Sequence, residues 1–373
     1  MRYKSQFLVL MILFILFLIF INKSQTIKIG FVAQLTGAQS ELGIQERNAV
    51  QMAVEEINDQ GGIKGRKILL IIKDDLGTEE GAKEAVNQLI LEDVLAIIGH
   101  ATSSQTVYGL EIANKAKKLL ISPTASTYDL GGKDDFLLRV VASNKERAEA
   151  FAKHISQKKG IKEISVVLDI DNPYYVDPYW EAFKSIYEKE GEVKKVFTFS
   201  SKNQPDFNII AEMIKNQNST GVLVIANDYD TAMLAQSLKN IAKDSSIFAS
   251  AWAQTQTLIN HGGQAVEGIE VEVVYPQDGE TPNYIAFKDK YIKKFGAEPS
   301  FGAVLGYESM TVLRDALKKT GGKEKNLKQA ILEIEKFEGL IDYFEMDIYG
   351  DVKRPFYFSK IEDGRFITIT DNN

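Results

Sequence analysis

The sequence predicts an α/β fold in which two doubly wound, Rossmann-like lobes are joined by a multi-strand hinge. A chain of 373 residues that is 45% hydrophobic is long enough to bury two medium-sized cores. Short β-branched runs alternate with longer amphipathic stretches, a pattern typical of βαβ units around a parallel sheet. This series occurs twice, and two late helices have no strand between them. The chain is therefore expected to cross between the lobes more than once.

Each series supplies one lobe. In the first, strands are predicted at 27–33, 67–73, 95–98 and 119–122, and helices at 44–60, 81–91 and 104–116. In the second, strands are predicted at 136–141, 163–168, 194–199, 222–226 and 247–249, and helices at 145–158, 180–190, 207–215 and 231–241. Late helices at 284–295 and 302–319 are predicted to return to the first lobe. The predicted domains are 27–141 with 276–344, and 142–275 with 345–373.

The N-terminal segment, residues 1–26, is predicted to be a signal peptide or an N-terminal anchor. Arg2 and Lys4 precede an unbroken apolar run from Phe7 to Ile21. As a helix this run would span about 22 Å, short of the roughly 30 Å hydrocarbon thickness of a bilayer. No small-x-small cleavage site follows it, so both interpretations stay open. The expected location is periplasmic or extracytoplasmic, with membrane attachment only if the segment is uncleaved.

Composition and motifs argue against several function classes. The net charge of −7 and the lack of a basic, aromatic-rich stretch argue against nucleic acid as a partner, and the absence of cysteine excludes disulfide and thiolate chemistry. The chain contains no H-E-x-x-H, G-x-S-x-G, Walker A or G-x-G-x-x-G motif. His100, His154 and His261 lack metal-ligand spacing, and Asp74 and Asp75 are interpreted as turn caps. We therefore predict a non-enzymatic protein without cofactor or metal.

Hydroxyl side chains follow two successive strands of the first series. They lie in segments 99–104 and 122–127, at strand ends where ligands bind in open α/β sheets. Backbone N–H groups and hydroxyls together suit a carboxylate. Any single Ser or Thr could instead be a helix N-cap, but two neighbouring clusters favour binding. In the second series, the aromatic-rich segment 172–180 is predicted to be a loop that forms an apolar wall opposite them.

Several stretches together resemble one known family, the type I periplasmic binding proteins of branched-chain amino acid transport, or Leu/Ile/Val-binding class. The resemblance extends from residue 27 to about 366 and is carried by segments 28–37, 57–67, 74–75, 97–100 with 103–104, 121–126, and 267–268. It implies that Ser103 holds a ligand carboxylate, that the Thr124 carbonyl accepts from an ammonium, and that Ser126 contacts both groups. It further implies lid tyrosines at Tyr175 and Tyr229. The full predicted ligand-binding set is Ser103, Ser104, Thr124, Ala125, Ser126, Tyr175, Asp228, Tyr229, Trp252 and Phe301.

One position departs from the family pattern. Ala251, followed by Trp252, stands where amino-acid-binding members place a glutamate that pairs with the ligand ammonium. A buried ammonium without a counter-charge is costly. Either Asp228 or Asp230 replaces the glutamate, or the ligand lacks an amine. Trp252 would suit an aromatic or longer apolar carboxylate, although it could equally belong to the core.

These observations predict the solute-binding component of an ABC importer. Its ligand would be a small carboxylate, either a branched-chain or other apolar amino acid or an aromatic or keto acid, and its partner the ABC transporter permease. The two lobes would close over the ligand. The alternative is a membrane-tethered ligand sensor with the same fold, which would require the apolar run of residues 7–21 to remain attached.

Overall fold

A parallel five-stranded sheet forms the core of the first lobe. The structure is a computed structural model that describes residue 11 and residues 26–37, 40–158 and 160–370. The strands are β1 (Ile27–Ala33), β2 (Ile68–Asp74), β3 (Ala96–Gly99), β4 (Leu119–Ser122) and β5 (Leu137–Arg139). They lie in the order β2-β1-β3-β4-β5. The helices that connect them are α1 (Glu41–Asp59), α2 (Glu79–Leu91) and α3 (Ser103–Ala116).

The second lobe repeats this arrangement. Its parallel strands are β6 (Glu163–Asp169), β7 (Glu192–Phe199), β8 (Gly221–Ile225), β9 (Ser246–Ala249) and β10 (Glu270–Val273). Its helices are α4 (Asn144–Gln157), α5 (Pro173–Tyr187), α6 (Phe207–Lys215), α7 (Asp228–Ile241) and α8 (Gln256–Gly262). Most predicted elements therefore appear within a few residues of their expected bounds.

The chain then returns to the first lobe. It forms α9 (Pro282–Phe295), α10 (Phe301–Thr320), α11 (Leu327–Leu332) and a small antiparallel sheet of β11 (Phe337–Glu338), β12 (Tyr343–Met346) and β13 (Val352–Lys353). Helix α10 packs closely on α1, because a Cβ atom at Gly302 would come within 2.6 Å of the Leu42 side chain. Lys290 and Tyr307 both bind Glu56 of α1. The late helices thus cover the first lobe.

The tail completes the second sheet with two antiparallel strands, β14 (Tyr357–Glu362) and β15 (Arg365–Thr368), in the order β15-β14-β10-β9-β8-β6-β7.

The chain passes between the lobes after β5, after β10 and after β13. Arg354 lies in the third crossing, donates to the Val140 carbonyl of the first at 3.1 Å, and pairs with Glu308 and Asp342. The predicted two-lobe α/β fold with a multi-strand hinge is confirmed. The predicted domain boundaries stay predictions.

The prediction of a loop at 172–180 was wrong. Helix α5 begins at Pro173, because proline is favoured in the first turn of a helix, where its missing N–H has no intrahelical partner to lose. Tyr175 and Tyr179 are one turn apart, and both are buried in the core with ring centroids 5.7 Å apart. The aromatics of this segment therefore form a helical face.

The predicted signal or anchor segment, Phe7 to Ile21, lies outside the described residues apart from Met11. Among the helices that the structure describes, none combines the length and apolarity that a membrane span requires.

Candidate ligand-binding site

A small cavity lies between the two lobes. Both lobes contribute to its walls, and the lining residues are Leu42, Ala101, Thr102, Ser103, Thr124, Ser126, Val141, Arg147, Asn172, Tyr175, Ala251, Trp252, Val274 and Phe301. A ligand held here would contact both lobes at once.

The N-terminus of α3 forms part of the first-lobe wall. Thr102 is the N-cap, and its hydroxyl accepts from the Gln105 N–H at 3.4 Å. Ser103 begins the helix, so its N–H belongs to the first turn, where backbone donors have no intrahelical acceptor and the helix dipole favours an anion. The Ser103 hydroxyl also accepts from the Thr127 N–H at 3.3 Å. This bond joins the two hydroxyl-rich segments into one polar surface.

Thr124 is held from behind by a buried carboxyl group. Its hydroxyl lies 2.5 Å from Glu46 Oε1 and also reaches the Ala101 carbonyl. Burial raises the pKa of Glu46 well above its usual value. Glu46 is not among the lining residues. It therefore orients Thr124 from behind the cavity wall.

The second-lobe wall contains an arginine that sequence reasoning missed. Arg147 Nη1 of α4 donates to both oxygens of Glu272 on β10, at 3.0 and 3.2 Å. Glu272 also accepts from the Ala251 N–H at 3.1 Å. Burial alone would lower the pKa of Arg147, but the Glu272 charge raises it above its usual value. One signal could have revealed this arginine: Arg147, Phe151 and Ile155 share one buried helical face, on which a charge needs a partner.

Aromatic and aliphatic side chains form the rest of the cavity. Trp252 follows β9 in a short 3-10 turn at Ala251–Ala253 and packs edge-on against Tyr175, with ring centroids 5.7 Å apart. Burial raises the pKa of Tyr175, which keeps its hydroxyl protonated. Phe301, the first residue of α10, contributes from the first lobe. The site thus combines a polar end with an apolar body.

Direct contacts between the lobes close the cavity. The Ser104 hydroxyl donates to Asn172 Oδ1 at 2.9 Å, and its backbone N–H donates to the same atom at 3.2 Å. Beside this pair, Tyr108 of α3 meets Tyr174 of α5 edge to face, with ring centroids 5.7 Å apart. Ser104 therefore contacts the other lobe directly.

The structure brings six of the ten predicted site residues to the cavity: Ser103, Thr124, Ser126, Tyr175, Trp252 and Phe301. The other four lie outside it. Ser104 binds Asn172, and Ala125 is buried in the core, where its carbonyl accepts from Arg139. Asp228 binds Thr255, and Tyr229 is 41% exposed and packs on His261. Asp228 and Tyr229 are the first two residues of α7, and neither lines the cavity.

The comparison with known proteins identifies the family. Residues 26–365 match the periplasmic binding protein family. The chain belongs to this family. As a periplasmic binding protein it acts outside the cytoplasm, and its relatives are named as binding proteins, so the prediction of a non-enzymatic protein is confirmed. Membrane anchoring stays a prediction.

Similar proteins also confirm the predicted resemblance to the Leu/Ile/Val-binding class. The Leu/Ile/Val-binding protein BraC3 of Rhizobium johnstonii is 25% identical over 299 residues, 80% of each chain. The leucine-, isoleucine-, valine-, threonine- and alanine-binding protein of Pseudomonas aeruginosa is 24% identical over 335 residues, 88% of each chain.

Solved structures share the fold. The branched-chain amino acid transporter substrate binding protein LivJ of Streptococcus pneumoniae, in complex with isoleucine, has a TM-score of 0.85 at 23% identity, covering 92% of this chain and 99% of that one. An ABC transporter solute binding protein of R. palustris, in complex with benzoate, has a TM-score of 0.83 at 19% identity, covering 92% and 96%.

Proposed function

We propose that this periplasmic binding protein captures a small carboxylate and delivers it to the permease of an ABC importer. The observation that carries the proposal is the cavity between the lobes, where the α3 N-terminus with Ser103, the hydroxyl residue Ser126 and the cation Arg147 line one small volume. Backbone amides, hydroxyls and a guanidinium all favour a carboxylate. The ligands named for the two structural neighbours are isoleucine and benzoate, and both have a carboxylate beside an apolar group.

Binding and closure would be coupled. A ligand that contacts both lobes makes its full set of contacts only when they close, so it shifts the population toward the closed form. The permease would then distinguish loaded from empty protein by its shape, and no covalent step is required. The tethered-sensor alternative depends on residues 7–21, of which the structure describes only Met11, and no observation favours it.

The test combines a ligand screen with a double substitution. Leucine, isoleucine, benzoate and 4-methyl-2-oxopentanoate are screened by thermal shift, since a ligand at 100 times its Kd stabilises by about 2.7 kcal/mol. Ser103→Ala with Ser126→Ala should then weaken the tightest ligand by about 100-fold or more, because two hydrogen bonds to a charged group are lost.

The matched control is Ser309→Ala, a buried serine of α10 that binds the Leu305 carbonyl outside the cavity. This variant should keep wild-type affinity. An unchanged Kd in the Ser103/Ser126 double variant would refute the proposed carboxylate site.

A further inference from the structure

The charges around the cavity determine which ionic groups a ligand can carry. Among the lining residues, Arg147 is the only side chain that carries a full charge, and none is a carboxylate. Arg147 is 2% exposed and Glu272 is fully buried. Glu272 is engaged by Arg147 and by the Ala251 N–H, and is itself not a lining residue. The cavity wall therefore contains hydrogen-bond donors and one guanidinium, which is paired with Glu272 from behind.

No carboxylate of the described residues lines the cavity. The sequence left Asp228 and Asp230 as replacements for the missing glutamate, but Asp228 binds Thr255 and Asp230 binds Asn227 and Ser201, all outside the lining. Glu46 stands behind Thr124 and does not line the cavity. Neither Asp228 nor Asp230 therefore replaces the family glutamate. The alternative that remains is that the ligand has no amine.

Resting on the proposed function, we infer that the ligand is an apolar monocarboxylate without an amino group, and that Arg147 is its charge partner. Arg147 Nη1 makes both hydrogen bonds to Glu272, while its buried Nε has no hydrogen-bond partner. A guanidinium has five N–H donors in a planar fork, so this arginine has capacity left for a ligand carboxylate. An ammonium in the same cavity would be repelled by Arg147 and would lack a counter-ion.

The apolar walls agree with this ligand class. Trp252 stands next to Ala251 and contributes a flat surface that, with Tyr175 and Phe301, can enclose an aromatic ring or a branched aliphatic chain. Compared with the family pattern, Ala251 thus removes an acid and Trp252 adds an apolar face. Both changes favour a carboxylate whose remainder is hydrophobic.

The first experiment compares acids that differ only by the amine. Isothermal titration is carried out with 3-phenylpropanoate against phenylalanine and with 4-methylpentanoate against leucine. The amine-free member of at least one pair should bind about 100-fold tighter, given the cost of an unpaired buried ammonium. Equal or tighter binding of the amino acids would overturn the inference and leave the proposed function standing. If no carboxylate of either pair, and none in the earlier screen, binds, both fall together.

The second experiment tests Arg147 with the tightest of these acids as the probe. Glu272→Gln keeps an acceptor for the Ala251 N–H but leaves Arg147 without its counter-charge, so the affinity for the acid should rise about tenfold. Glu270→Gln is the matched control, because Glu270 lies two residues earlier on β10 and binds His154 and Lys158. It should leave the Kd unchanged. A fall in affinity in Glu272→Gln would refute Arg147 as the charge partner.

A double variant covers the case in which Glu272→Gln does not fold. Arg147→Gln with Glu272→Gln leaves no unpaired charge in the cavity wall, and it should weaken the acid at least tenfold. Retention of wild-type affinity in this variant would show that Arg147 only supports the fold.

Discussion

Ser104 allows lobe closure to be separated from ligand contact. Its hydroxyl and N–H both donate to Asn172 Oδ1 across the lobes, and the Tyr174 N–H donates to its hydroxyl oxygen at 3.4 Å. The side chain is 1% exposed but does not line the cavity. Ser104→Ala therefore removes hydrogen bonds that exist only between closed lobes, while the cavity walls stay unchanged.

The magnitude follows from the bonds that are lost. One good hydrogen bond and one long one disappear, and the N–H bond to Asn172 remains, so the closed form should lose about 1–2 kcal/mol relative to the open form. If the open form predominates without ligand, the apparent binding free energy weakens by the same amount. The Kd should then increase about 5- to 30-fold.

The assay is a double-mutant cycle on ligand affinity. Ser104→Ala, Asn172→Ala and the double variant are titrated with the same acid, and a coupling free energy of about 1 kcal/mol is expected between the two sites. The cycle is needed because Asn172 also lines the cavity, so its single substitution mixes closure with ligand contact. A Kd for Ser104→Ala within twofold of wild type, or a coupling near zero, would show that this contact does not control closure.

Two further predictions concern buried charges outside the cavity. Arg354→Met should lower the free energy of unfolding in urea by about 3–5 kcal/mol, because Glu308 is 1% exposed and would keep its charge without a strong partner; a loss below 1 kcal/mol would contradict this. Burial raises the pKa of Asp228 to about 6, so its contribution to stability is present below pH 4 and is lost as the pH rises to 6. Asp228→Asn should therefore raise the unfolding free energy at pH 7 by up to about 3 kcal/mol, with no change in ligand affinity; equal stability at pH 7 or weaker binding would contradict it.

The part of the site on the first lobe could be predicted from the sequence because it depends on local order. Ser103 and Ser126 each follow a short buried strand, and the carboxyl ends of neighbouring parallel strands meet at one edge of a sheet. The position of the hydroxyls along the chain is thus enough to bring them together. The same reasoning predicted the lobes, since hydrophobic periodicity defines the strands and helices that build each sheet.

The second-lobe part could not be predicted in this way because it depends on pairing between distant elements. Arg147 and Glu272 are 125 residues apart, and only the packing of α4 on β10 brings them together. The segment 172–180 was predicted to be a loop, but Pro173 is compatible with a helix start and Pro178 removes a single helical hydrogen bond. Tyr229 was assigned as a lid tyrosine by the family resemblance, but it is the second residue of α7, is 41% exposed and does not line the cavity.

Two groups of ion pairs connect β10 to α4 and to Lys158, which directly follows that helix, and the inner pair lies at the cavity wall. Glu270 is paired with His154 and Lys158 toward the surface, and Glu272 is paired with Arg147 in the interior. A fully buried pair seldom stabilises a fold more than apolar residues of the same volume would, because both charges lose their hydration. Stability alone is therefore a weak reason for an arginine at this position. A carboxylate ligand supplies a stronger one, since the desolvated guanidinium, with a donor still unpaired, is prepared to bind an anion as the lobes close.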